Sequence, residues 1–294
     1  MTRSAGVARH NFYSILGGCG ARLKDTNDAR GAGSLASVGG VRDGVVEALR
    51  ADPAMAGLRR SLDFYHGDPA RDSALDAFYA PLVRAGDLVF DVGAHVGDRL
   101  GSFRRLGATV VAVEPQPLCA RALREIYAGD GAVTVVEAAC GRTADPVRLH
   151  VNSANPTVST ASPGFVRAAV GAPGWADETW DAQIEVPGTT LDTLVAAYGV
   201  PAFVKIDVEG FEDAVLAGLS RPVPALSFEF TTIARELAAR CLDRLTALGF
   251  TGFTVALGDE MRFALPGWRP AAEVAAYLRA LPDEANSGDV YARA

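Results

Sequence analysis

Lysine is nearly missing from this 294-residue chain: among 28 lysines and arginines only Lys24 and Lys205 are lysines, so arginine stands wherever else a cation is written. Cysteine is scarce as well. Cys19, Cys119, Cys140 and Cys241 lie far apart, with neither metal-ligand nor redox-pair spacing, and suit buried small hydrophobes in a reducing compartment. No run of 18 apolar residues occurs, and the first residues lack the apolar core and cleavage site of a secretory signal. These absences point to a cytoplasmic protein without a membrane partner.

An excess of positive charge is also absent. The net charge is −7, and the one basic cluster, Arg3, Arg9, Arg22, Lys24 and Arg30 against Asp25 and Asp28, has no interleaved aromatics. It reads as a flexible basic tail over residues 1–40, and no nucleic-acid partner is expected. What is present is ample core material: 49% hydrophobic and 21% charged residues exclude wholesale disorder, collagen and a disulfide scaffold.

The apolar positions Val45, Val46, Leu49, Met55, Leu58 and Leu62 predict helices broken near Asp52-Pro53. A further helix is predicted over Ser73–Val83, with Ser73 as its cap. Together they form a helical extension over 41–84. From 85 to 294 short Val-rich runs alternate with amphipathic stretches. Strands are predicted at Leu88–Val92, Thr109–Val113, Val133–Ala138, Phe203–Val208 and Ala225–Phe230. Helices are predicted at Asp98–Leu106, Pro117–Tyr127, Leu191–Tyr198, Glu212–Leu219 and Thr232–Leu248. This rhythm specifies an α/β domain with a mostly parallel sheet covered on both faces. Arg148–Asn152 adds a short strand, and Phe253–Leu257 with Asp289–Ala292 a terminal antiparallel pair. Residues 152–188, with four prolines, Trp175 and Trp180, break the rhythm and read as an insertion covering the substrate.

After the first strand comes Asp91-Val-Gly93-Ala94-His95-Val-Gly97. Glycines there let the backbone turn and approach a ligand at the carboxyl end of the sheet. The middle position is His95, so the three-glycine dinucleotide pattern is not met, which argues against a nicotinamide-dependent oxidoreductase. Asp91 would repel a pyrophosphate and suits a cationic ligand. Glu114-Pro115 ends the second strand with a carboxylate able to accept both hydroxyls of a ribose. The pair describes a pocket for a positively charged nucleoside, which S-adenosylmethionine is.

Phe203-Val-Lys205-Ile-Asp207-Val-Glu209-Gly210 places Lys205, Asp207 and Glu209 on one face by period-two alternation. Charges in a central strand need partners or an open strand end. Glu229 on the next strand makes a Lys205–Glu229 contact the expected one.

These stretches, with Thr190-Leu-Asp192, Asn155-Pro-Thr157, Ser159-Thr160 and Ser287-Gly-Asp-Val-Tyr291, resemble the FkbM-type methyltransferase family from about Phe64 onward. The resemblance implies a class I, Rossmann-like methyltransferase fold with a seven-stranded sheet, S-adenosylmethionine as cofactor, and O-methylation of a natural product or sugar. It assigns Asp91, Gly93 and Gly97 to the methionine side of the cofactor, with Ala94 and His95 as further cofactor contacts. Glu114 and Pro115 fall to the ribose, and Glu137 or Ala138 to the adenine. By topology Glu209 is the expected base, with Asp207 and Lys205 setting its pKa and His95 as the rival base. Asn155, Thr157, Trp175, Trp180 and Glu229 are the expected acceptor contacts. A divalent cation among Asp207, Glu209 and Glu229 is a variant that no ligand spacing requires. Thr190 and Asp192 are explained as helix cap and first-turn acid, Glu212 and Asp213 as dipole partners. A methyltransferase fold kept only for binding is the other alternative, and a homodimer is left open.

Overall fold

Val-rich runs with both faces apolar can only be satisfied between two layers of helix, and the chain builds that sandwich. The computed structural model describes residues 32–294, with side chains from Arg42 onward; the basic stretch 1–31 lies outside the described residues. Helices α1 (Ala32–Ala51), α2 (Arg59–Tyr65) and α3 (Pro69–Tyr79) come first, with a 3-10 turn at Pro53–Leu58. Helix α1 starts inside the stretch expected to be tail and runs through Gly39-Gly40. A glycine costs a helix only about 0.5–1 kcal/mol relative to alanine, too little to end it. Helix α3 also starts early. Asp68, not Ser73, caps it by accepting from the N–H groups of Ala70 and Arg71, Pro69 fills the first turn, and Ser73 Oγ donates to the Pro69 carbonyl.

Next come β1 (Leu88–Val92), α4 (Asp98–Arg105), β2 (Thr109–Val113), α5 (Pro117–Ile126), β3 (Val133–Val136) and a two-residue β4 (Ala139–Cys140). The middle of the chain holds β5 (Val147–Val151), α6 (Pro163–Ala169), β6 (Ala182–Val186), β7 (Gly188–Thr189) and α7 (Leu191–Tyr198). The last part holds β8 (Phe203–Ile206), α8 (Glu212–Ala217), β9 (Ala225–Thr231), α9 (Arg235–Leu248), β10 (Gly252–Leu257), α10 (Ala271–Ala280) and β11 (Ser287–Arg293). The seven-stranded sheet has the order β10-β11-β9-β8-β1-β2-β3. Pairings among β9, β8, β1, β2 and β3 are parallel, and β11 is antiparallel to both its neighbours.

Alternate strand residues enter two cores. Phe90, Val92, Val204, Ile206 and Phe228 pack under α7, α8, α9 and α10. Val89, Val110, Ala112, Phe203 and Tyr291 pack under α4, α5 and the N-terminal helices. Each fully buried Val, Ile or Phe among them contributes roughly 1.5–3 kcal/mol. The extension over 41–84 therefore shares a core with one face of the sheet.

Two expectations are revised. The insertion is framed by the antiparallel pair β5–β6 and carries its own small core of Val158, Phe165, Ala169 and Trp175. Strand β6 is mostly exposed, so its alternation has no apolar face to announce it. Strand β8 ends at Ile206, not Val208, because Glu209 (φ 54°) and Gly210 (φ 87°) turn the chain out of the sheet. Asp207 and Glu209 thus sit on a loop at the strand end, where water and ligands reach them.

Gly93 fixes how close the two central strand ends come. Its φ is 85°, and a Cβ there would lie 1.7 Å from the Asp207 carbonyl oxygen. Gly129 has a similar φ of 80° with nothing within 4 Å. In urea melts, Gly129→Ala should lose only the left-handed strain, about 1–2 kcal/mol, whereas Gly93→Ala should lose clearly more or fail to fold. Equal losses would show that the close approach is dispensable.

Candidate active site

Asp91 and Glu114, at the tips of β1 and β2, are both 2% exposed. Among the described residues Asp91 Oδ2 has no hydrogen-bond partner. Burial pushes its carboxyl up to about 7, against the pull of Lys205 and Arg99. Glu114 accepts from the His95 N–H (2.9 Å) through Oε2 and from the Gln116 N–H (2.8 Å) through Oε1, so the glycine turn is tied to the neighbouring strand. Burial pushes it too up to about 7. His95 is held at φ 48°, with Nδ1 3.4 Å from Cys119 Sγ and Nε2 3.3 Å from Thr157 Oγ1. Burial takes its pKa down to about 4, leaving a neutral, doubly engaged ring.

Lys205 is wholly buried and bridges Asp207 (2.9 Å) and Asp289 of β11 (3.0 Å). The expected Lys205–Glu229 contact is not the one made: Lys205 stands beside Ser227, while Glu229 stands two residues on, opposite Asp289. Burial would raise Asp207, but the Lys205 ammonium overrides it and holds the carboxyl below the usual range. Glu209 and Glu229 go the other way, raised well above that range by burial and then by the Asp207 charge. Asp207, Glu209 and Glu229 each place a carboxylate oxygen within 4.8 Å of the others. The loop itself is pinned. Glu212 accepts from the Val208 and Gly210 N–H groups, Thr160 Oγ1 donates to the Glu209 carbonyl, and Phe165 packs where a Gly210 Cβ would go. Glu212 lies in the first turn of α8, as expected of a dipole partner, and is a buried loop brace besides; Thr190 caps α7 as expected.

Two adjoining cavities result. The first is lined by Asp91, Gly93, Ala94, His95, Glu114, Pro115, Ala138, Lys205, Asp207, Glu209 and Glu229. Gly97 is not in that wall; it is the left-handed residue preceding α4, packed on Leu123 and Tyr127. Glu137 is outside as well, half-exposed and paired with Arg124, so the third strand end contributes Ala138 alone. The second cavity takes Asn155, Thr157, Trp175, Glu209 and Glu229 together with residues of α2. Trp180 lines neither: its Nε1 donates to the Val158 carbonyl and its ring packs on the insertion's own core.

Several lining residues escaped the sequence reading. Among the described residues, the permanent cations of the first cavity are Lys205 and Arg99, outnumbered by carboxylates. Arg99 and Arg71 share Asp98 and Asp259: Arg71 bonds Asp98 at 2.7 Å and Asp259 at 2.6 Å, and Arg99 bonds Asp98 and, at 2.9 Å, Asp259. This ring ties α3 to α4 and to the turn after β10. Asp259 had a faint signal, as an acid following a glycine at a strand end. Arg71 had none, since only the fold brings it near.

A family model described as "Methyltransferase FkbM domain" matches residues 91–251, more than half of the chain. No curated protein matches. Similar solved structures include an O-methyltransferase from Bacillus cereus in complex with SAH (9% identity, 86% of this chain and 91% of that one, TM-score 0.41). Others are a precorrin-6y C5,15-methyltransferase from Geobacter metallireducens (11%, 77% and 88%, 0.37) and a SAM-dependent O-methyltransferase from Thermotoga maritima (14%, 81% and 70%, 0.36). Among the described residues no helix is long and apolar enough to cross a membrane.

The raised carboxyls set a pH dependence. Asp91 titrates near 3.8 when unfolded and at about 7 when folded, so the folded state holds the extra proton between these values. Stability is therefore greatest below that window and falls as pH rises through it, with Glu114 and Glu212 acting in the same sense. Asp91→Asn should flatten this slope and stabilise the fold at pH 7.5 by about 1–3 kcal/mol, seen as a higher Tm. Thermal melts from pH 4.5 to 8 check this; a variant no more stable than wild type at pH 7.5 would contradict it.

Proposed function

Because this chain belongs to the FkbM methyltransferase family, we propose that it moves a methyl group from S-adenosylmethionine onto a hydroxyl of a small molecule, such as a natural product or sugar. The observation that carries this reading is the shared wall: Glu209 and Glu229 line both cavities, so a group in the second meets carboxylates that also face the first.

The first cavity suits that cofactor. It is rich in carboxylates, and Asp91 Oδ2 is a buried acceptor with no partner among the described residues, as a cationic ligand needs. Asp91 would hold the amino-acid part of the cofactor, Glu114 its ribose and Ala138 its adenine. When bound, S-adenosylmethionine supplies an electrophilic methyl group on a positively charged sulfur. The same acidity disfavours a pyrophosphate, and with it a nicotinamide dinucleotide.

Glu209 is the base. Its raised pKa makes it a strong proton acceptor once ionised, whereas Asp207, held ionised by Lys205, is a weak one. A positive charge in the first cavity draws Glu209 toward its ionised form, so base and cation come into play together. Glu229 stands close by, with a carboxylate oxygen within 4.8 Å of one on Asp207 and one on Glu209. His95, neutral and bonded at both nitrogens, orders the turn and touches Thr157.

The 4.8 Å grouping of Asp207, Glu209 and Glu229 favours a second reading, a divalent cation held by three hard oxygens that acidifies the acceptor hydroxyl. The Lys205 ammonium, already 2.9 Å from Asp207, supplies positive charge to this group of acids and supports the general-base reading instead.

Isothermal calorimetry should detect binding of S-adenosylhomocysteine. Glu209→Gln should retain that binding and lose turnover by about 10²–10⁴-fold; turnover at the wild-type level would remove Glu209 as base. The wild-type rate should rise with pH, because the ionised form of Glu209 is the active one. Dialysis against a chelator should leave turnover within about twofold, less than a general acid–base contribution. A loss restored by Mg²⁺ would transfer the role to the cation.

A further inference from the structure

Helix α2 lies outside the stretch matched by the family model, yet it forms one wall of the second cavity. Arg60, Ser61, Phe64 and Tyr65 line the cavity from one helical face, linked by the three- and four-residue spacings 61/64, 60/64 and 61/65. The stripe is anchored on both sides. Ser61 Oγ lies 3.4 Å from Thr157 Oγ1, and Arg71 stacks over the rings of Phe64 (5.3 Å) and Tyr65 (5.6 Å). Opposite stand hydroxyl and amide side chains from other elements, among them Thr231 and Asn286.

The cavity's charge is divided between its ends. Glu209 and Glu229 occupy the side shared with the first cavity, and Arg60 is the cation in the remaining wall. Arg60 is exposed and, like Arg59, Arg84 and other arginines, has no ion pair among the described residues; what sets it apart is its place in the cavity wall. A guanidinium presents a planar fork of donors matched to a carboxylate or a phosphate. We infer that the acceptor is a polyhydroxylated small molecule carrying an anionic group, whose hydroxyl faces Glu209 while Arg60 takes the anion, making α2 the element that selects the substrate. This rests on the methyl-transfer reading and adds to it the charge of the substrate.

The test uses the full chain saturated with S-adenosylhomocysteine, titrated with glucose, glucuronate or glucose 6-phosphate. Both anionic probes carry the ring of the neutral one, and comparing them separates a carboxylate from a phosphate as the preferred anion. At least one anionic probe is expected to bind tenfold or more tighter than glucose. Arg60→Ala should bring it down to the level of glucose, Arg60→Glu should take it below, and Arg60→Lys should restore part of the preference. No preference for either anion in wild type, or a preference that survives Arg60→Ala, overturns the proposal. Arg60 does not line the first cavity, so unchanged S-adenosylhomocysteine affinity in the variants certifies their folding. Absence of S-adenosylhomocysteine binding in wild type would instead defeat the methyl-transfer reading, which this separate titration detects.

Discussion

A single buried ammonium holds the centre of this molecule together. Lys205 sits in the middle of the sheet with no exposure, joined to Asp207 on the following loop and to Asp289 on the antiparallel strand. Removing it would leave Asp207 and Asp289 without their direct ion-pair partner beside Asp91, Glu209 and Glu229, with Arg99 as the remaining cation of the cavity, and unpaired buried charge is among the costliest defects a core can carry. A compact ammonium can meet two carboxylates from different directions, which the planar fork of arginine does less readily. That is the physical sense in a chain otherwise written with arginine keeping lysine here.

From this pairing the properties of the neighbouring acids follow. Asp207 takes the charge compensation and stays ionised, and Glu209 and Glu229, facing it, are driven toward their protonated forms. The loop carrying Glu209 is then fixed by contacts from three directions: the β1 turn at Gly93, the insertion through Thr160 and Phe165, and the Glu212 carboxylate beneath. Strained backbone at Glu209 persists because its surroundings determine it so fully.

The parallel sheet was legible because its strands are short apolar runs bounded by helix-length stretches; β1, β2 and α7 fall at the positions read from sequence. Strand-end acids were legible for a related reason, since a carboxylate closing a Val-rich run stands out from its context. Exposed β6 and the two-residue strands β4 and β7 carry no such contrast. Nor does period-two alternation reveal where a strand stops, which is why Lys205, Asp207 and Glu209 read as one strand face although only the first is in the sheet. Least legible were partnerships across long separations. Asp289 for Lys205, Asp259 for Arg71 and Arg99, and α2 as a cavity wall all depend on tertiary folding that no local pattern encodes.

The strand order has a consequence for how the chain is made. Strand β11 lies between β9 and β10, although both precede it along the chain. While the ribosome is still delivering the helix α10, β9 and β10 have no partner to separate them and each presents a bare hydrogen-bonding edge. Lys205 at that moment has only one of its two carboxylates. The arrival of β11 therefore closes both edges and completes the neutralisation of Lys205 in a single step.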